Sequence, residues 1–186
     1  MKTLWTSVAC LGLGLSLVSA PAAAEERVCR GTIGAVALDN ILVPQGASCF
    51  LTGARAKRTV KVARTAKLTA RNVIVIGNVQ AEGATSVTVY DGSRIGGSIQ
   101  VKQGSAATVI NSHVNADILY DSNRGALRIQ YNRVGGNVQA FQNVRGGLNI
   151  TRNVIDGNLQ CKANNPAPTG TGNVVGGNKE DQCRRL

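Results

Sequence analysis

Apolar and polar positions alternate along this chain in short runs, and the runs return at a fixed interval. The chain reads Asn132-Arg-Val-Gly-Gly-Asn-Val-Gln139, then Asn153-Val-Ile-Asp-Gly-Asn-Leu-Gln160, then Asn173-Val-Val-Gly-Gly-Asn-Lys-Glu180, with a looser copy at Ser93-Arg-Ile-Gly-Gly-Ser-Ile-Gln100. Taking the second Gly of each copy as an anchor gives Asp39, Arg58, Gly77, Gly97, Ala116, Gly136, Gly157 and Gly177, with steps of 19, 19, 20, 19, 20, 21 and 20 residues. Two residues before the anchor stand Val75, Ile95, Val114, Val134, Ile155 and Val175, all β-branched. Such side chains favour extended backbone. Two residues after it stand Ile41, Val60, Val79, Ile99, Ile118, Val138 and Leu159, then Lys179. A third apolar pair recurs as Leu127/Ile129 and Leu148/Ile150, with Ala107/Val109 as a weaker copy and Val87/Val89 offset by one residue.

Each period thus holds three short segments with alternate apolar residues, separated by Gly, Asn, Asp or Ser. Alternation puts one face inward and one outward. Three strands in every period of roughly 20 residues describe a solenoid: an all-β, single-stranded, right-handed parallel β-helix of about seven coils. A lone coil cannot bury its inner row, and stacking fills a narrow interior rich in Val and Ile. Helices are disfavoured, because no window carries apolar residues at helical spacing and Gly falls too often. A β-sandwich is the competing architecture, but it does not require the same residue classes to return at one period over eight anchors.

Residues 1–24 read as a signal peptide: Lys2, an apolar run from Leu11 to Ala20, and small residues Ala22 to Ala24 before Glu25, with cleavage expected near Ala24. That run is too short for a membrane span, so the expected product is secreted, extracellular or periplasmic. Residues 25–186 form one expected domain, with 25–52 as amino-terminal cap and first coil and 161–186 as closing cap. Without the leader and its Cys10, four cysteines remain: Cys29, Cys49, Cys161 and Cys183. Residues about one coil apart lie on neighbouring rungs about 4.8 Å apart, within reach of a disulfide. The spacing therefore predicts Cys29–Cys49 and Cys161–Cys183, each pinning an exposed end of the stack. A four-cysteine metal site would need both pairs together, whereas the repeat places them at opposite ends. No cofactor is expected.

The stretch from Gly157-Asn-Leu-Gln-Cys161 through Pro166-Ala-Pro168-Thr-Gly-Thr-Gly-Asn173 to Cys183 resembles the carboxy-terminal signature of a group of small secreted bacterial proteins. Val43-Pro-Gln-Gly-Ala-Ser-Cys49-Phe-Leu51 resembles their amino-terminal coil. The resemblance implies a right-handed parallel β-helix and no particular activity. This chain departs from the group in its basic second coil.

The chain carries 21 Lys and Arg against 10 Asp and Glu, a net +11. Residues 27–71 hold nine of those bases against the single acid Asp39. Seven lie close together: Arg55, Lys57, Arg58, Lys61, Arg64, Lys67 and Arg71. On a rigid wall such a block attracts anionic polysaccharide or envelope polymer; otherwise it is a solvated face that aids solubility. No helix or aromatic platform supports specific nucleic-acid reading. A second polar feature flanks the inward row, with Asn78, Ser98, Asn137 and Asn158 just after the anchor and Gln80, Gln100, Gln139 and Gln160 two residues on. These are expected on one flat, solvated sheet, either as a rung-stabilising amide ladder or as a hydrogen-bonding grid for polysaccharide. Ser93, Ser112, Asn132, Asn153 and Asn173 are expected to bond turn backbone. Catalysis has little support. His113 is the lone histidine, and Asp91, Asp117, Asp121 and Asp156 fall in different columns. The reading is a non-catalytic scaffold or binding protein; the alternatives are a self-associating structural module and a carbohydrate-active enzyme. The sequence leaves the oligomeric state open.

Overall fold

A computed structural model describes residues 25–186. The leader, its cleavage point and Cys10 lie outside the described residues. Three parallel sheets run the length of the stack. Sheet A has nine strands, from Glu26–Val28 to Lys179–Asp181; sheet B has seven, from Gly31–Ile33 to Leu148–Thr151; sheet C has eight two-residue strands, from Ala37–Leu38 to Val174–Val175. The chain visits A, B and C in turn and returns to A one rung on. Coils therefore stack, and the sandwich alternative is excluded.

Register follows the anchor columns. Val60, Val79, Ile99, Ile118, Val138 and Leu159 are successive partners in sheet A. Val75, Ile95, Val114, Val134 and Ile155 are partners in sheet C. In sheet B, Val87, Ala107, Leu127 and Leu148 stand over one another. These rows are buried almost completely and make one continuous core. Burying each Val, Ile or Leu contributes about 1.5–3 kcal/mol, which no isolated coil could collect. Tyr120 is wholly buried in the same core, stacked between Val101 and Ala140, and its hydroxyl donates to the Arg128 carbonyl at 3.3 Å. Burial pushes the Tyr120 phenol well above its ordinary pKa.

The eight strands of sheet C mark about eight turns, one more than the periodicity suggests. The extra turn comes from residues 26–38, which form a short coil instead of a cap. Glu26 pairs with Asn40, only 14 residues on. At the other end Lys179 enters the inner row above Leu159 as its half-buried last member, and its ammonium donates to the Asn173 carbonyl at 3.0 Å. Sheet B stops earlier because Pro166 and Pro168 replace a strand; the segment bridges back at isolated points, Asn165 to Val144 and Thr169 to Asn149.

Both expected disulfides are present, with Cα–Cα separations of 5.6 Å for Cys29–Cys49 and 5.2 Å for Cys161–Cys183. Neither is strictly vertical. The register partner of Cys49 is Gly31, and that of Cys161 is Asp181. Each end cysteine lies two residues from that partner, and its sulfur still reaches the interior.

The Gly anchors have a steric cause. A Cβ on Gly157 would lie 2.6 Å from Asn137 Oδ1 and 2.7 Å from the Gly136 carbonyl oxygen of the rung before. Backbone meets backbone at this corner, and φ is not the constraint there.

Candidate functional site

Most polar side chains at the corners are committed to holding the stack together. At the corner between sheets B and C, Asn132 Nδ2 donates to the Val109 carbonyl at 2.8 Å and to Asn153 Oδ1 at 3.0 Å, while Asn153 repeats the pattern with Ile129 and Asn173. Ser93 and Ser112 continue this buried column. At the A–B corner a further ladder runs through Asn123, Asn143, Asn164 and Gln182, with side-chain bonds of 2.8–3.1 Å. Its signal in the sequence is the recurrence of Asn at 20 and 21 residues.

The column Asn78, Ser98, Asp117, Asn137 and Asn158 lies at the C–A corner and not on the sheet as expected, because the backbone turns before the strand begins. Asn78 Oδ1 accepts the Ser98 amide at 2.8 Å, Asp117 Oδ1 the Asn137 amide at 2.7 Å, and Asn137 Oδ1 the Asn158 amide at 2.8 Å. Each of these oxygens accepts from the next rung, as a rung-stabilising ladder requires, and the column sits at a corner instead of on the flat sheet. The second column does face outward on sheet A. Gln139 Nε2 donates to Gln160 Oε1 at 2.8 Å, and Gln160 in turn to Glu180 at 2.9 Å. Gln80 and Gln100 border an open depression of about 390 Å³ shared with Lys61, Glu82 and Lys102.

The basic run does not make a wall. It spans most of one coil and so encircles it. Arg55 points outward from sheet C, Lys57 and Arg58 occupy the C–A corner, Lys61 faces out from sheet A, Arg64 turns the A–B corner, and Lys67 and Arg71 begin and end a strand of sheet B. All seven are exposed. Two are paired: Lys57 Nζ lies 3.1 Å from Asp39, and Arg71 Nε lies 2.9 Å from Asp91. Hydrogen bonding and charge from Lys57 hold the Asp39 carboxyl below its ordinary pKa.

A different set of cations does share one face. Arg55, Ile74, Arg94, His113, Arg133 and Val154 are consecutive register partners on the outer side of sheet C. Arg94, His113 and Arg133 therefore form an unbroken column, one per rung. The column flanks an open groove of about 690 Å³, lined by Ile74, Ile76, Arg94, Gly96, His113 and Asn115. A smaller hollow beside it shares Arg94 and His113 and reaches Tyr131 and Arg133. Among the described residues, no hydrogen bond or ion pair engages the Arg94 or His113 side chain. Of the acids around this face, Asp39 is engaged by Lys57, Asp91 by Arg71 and Asp117 by the Asn137 amide, while Asp156 pairs with Arg133 of the column itself at 3.3 Å. The guanidinium of Arg152 lies 5.7 Å from the Tyr131 ring centroid. Asp121 lies on the outer side of sheet A beside Phe141 and Lys162, away from this groove.

Among the described residues there is no group of three or more His, Cys, Asp or Glu placed to hold a metal, and no helix long and apolar enough to cross a membrane. No protein-family model, curated protein or solved structure matches the chain.

Proposed function

We propose that the protein is a secreted, non-catalytic scaffold that binds anionic polysaccharide of the cell envelope or extracellular matrix. The observation that carries this reading is the column Arg94–His113–Arg133, whose first two side chains face solvent with no partner among the described residues and whose third is paired with Asp156. A rigid solenoid adds to its effect. The register fixes the backbone positions and spacing of the cations, so binding has to order only their side chains. Two disulfides suit an oxidising compartment, in keeping with the leader-like residues 1–24.

The test is affinity electrophoresis of residues 25–186 through gels containing an acidic polysaccharide or its neutral counterpart, across a salt series. Retardation by the acidic polymer alone, weakening as salt rises, supports the reading. Equal mobility in both gels at low salt contradicts it.

A further inference from the structure

We propose that the groove on sheet C is the polysaccharide site and that it takes a linear polyuronate chain laid along the solenoid axis. This rests on the reading above and makes it specific. The groove is built into the stack. Gly96 and Gly135 are open to solvent on this face, yet a Cβ on either would collide with the carbonyl of the preceding rung, Ile76 or Asn115. Side chains therefore cannot fill these positions; the groove stays open at Gly96 and adjoins the smaller hollow that reaches Arg133.

The column has chemistry suited to carboxylates. Arg94 and Arg133 present planar guanidinium forks that can take a carboxylate in bidentate fashion, which lysine cannot do. They stand two rungs apart, about 9.6 Å at about 4.8 Å per rung. In an extended, two-fold polyuronate ribbon, the carboxylates on one edge recur once per disaccharide, a repeat commensurate with two rungs. Arg94 and Arg133 then hold successive carboxylates of one edge, and His113 between them faces the intervening sugar. Ile74 and Ile76, 38% and 49% exposed, form an apolar shelf at the groove's amino-terminal end, suited to the C–H face of a sugar ring. A nucleic acid finds less here. Tyr131 at the rim is half exposed and held at its hydroxyl by Arg152 Nη1 at 3.2 Å, and the residues lining the groove include no Phe, Tyr or Trp ring on which bases could stack.

Sheet B supplies a matched control. Lys67 and Arg128 are exposed on sheet B, and removing both changes the charge as much as removing Arg94 and Arg133. Binding of polymannuronate, a β-linked two-fold chain, is measured by calorimetry for residues 25–186 and two double variants. Circular dichroism and a free-thiol assay check that each remains folded. Arg94→Ala with Arg133→Ala is expected to lose at least about tenfold in affinity and about two units of salt slope. Lys67→Ala with Arg128→Ala is expected to lose less than about threefold. Restoring charge as Arg94→Lys with Arg133→Lys recovers only part of the loss, since the fork is missing. Equal losses in the two alanine variants overturn the site while leaving polysaccharide binding intact. Stronger binding to single-stranded DNA or to anionic lipid vesicles than to polymannuronate overturns the assignment of the ligand. Failure of the unaltered protein to bind any acidic polysaccharide overturns the functional reading itself.

Discussion

The guanidinium of Arg133 reaches across one rung to the carboxylate of Asp156, Nη2 to Oδ2, 3.3 Å apart. Both side chains are about half exposed, so the pair contributes at most about 1 kcal/mol to stability. It also occupies one end of the cationic column. Asp156→Asn is expected to leave the melting temperature nearly unchanged and to tighten polymannuronate binding by up to about fivefold, the release of one such pair. Calorimetry of the variant checks both. Unchanged or weaker binding would place Arg133 outside the contact.

The amide ladder at the A–B corner is expected to dominate stability in the carboxy-terminal half. Asn143 is buried. It accepts the Asn123 amide at 3.0 Å and donates to the Tyr120 carbonyl at 2.9 Å and to Asn164 Oδ1 at 2.8 Å. Asn143→Ala strands these groups without water and is expected to cost about 2–4 kcal/mol. Denaturant unfolding measures it, and a cost within experimental error would contradict the ladder's role.

Tyr120 makes the fold sensitive to base. Its phenol is raised by burial, so the folded state keeps it neutral while the unfolded chain ionises it above about pH 10. With a raised folded pKa, full stability is present below the unfolded value and is lost as pH climbs beyond it. Tyr120→Phe removes this loss at the cost of one hydroxyl bond, about 1 kcal/mol at neutral pH. Unfolding curves of the two proteins at neutral and alkaline pH are expected to converge or cross, and a constant gap between them would refute the assignment.

Gly157→Ala tests the close approach of rungs. The added methyl meets the Gly136 carbonyl and Asn137 Oδ1, so the coils above must shift. A cost of about 1–3 kcal/mol follows from overpacking, with hydrogen exchange accelerated in the last two coils before the amino-terminal ones, since repeat stacks open locally. Uniform acceleration along the stack would contradict that localisation.

The stack was legible because its demand on sequence is severe. An inner row that must be apolar on every rung writes its period directly, as Val75, Ile95, Val114, Val134 and Ile155 do. The disulfides followed from the same period, with a two-residue displacement that spacing alone does not reveal. The third ladder went unread because Asn123, Asn143 and Asn164 lie outside the Gly-anchored motif, although they recur at the same interval. The distribution of the charge is not legible for a geometric reason. A basic run from Arg55 to Arg71 looks like a patch in one dimension, but in a coil of about 20 residues it goes nearly all the way round. Arg94, His113 and Arg133 are far apart in sequence and adjacent in space. Each stands three residues before an anchor, so their column could have been found by reading the outer rows as carefully as the inner ones.

Amide chemical-shift mapping tests the central claim most directly. Isotope-labelled residues 25–186 are titrated with short polymannuronate. The account predicts shifts concentrated in sheet C, on Ile74, Arg94, His113, Arg133 and the amides of Gly96 and Gly135, with sheets A and B unmoved. Shifts spread around the girdle from Lys61 to Arg71, or confined to the glutamine face of sheet A, would contradict it.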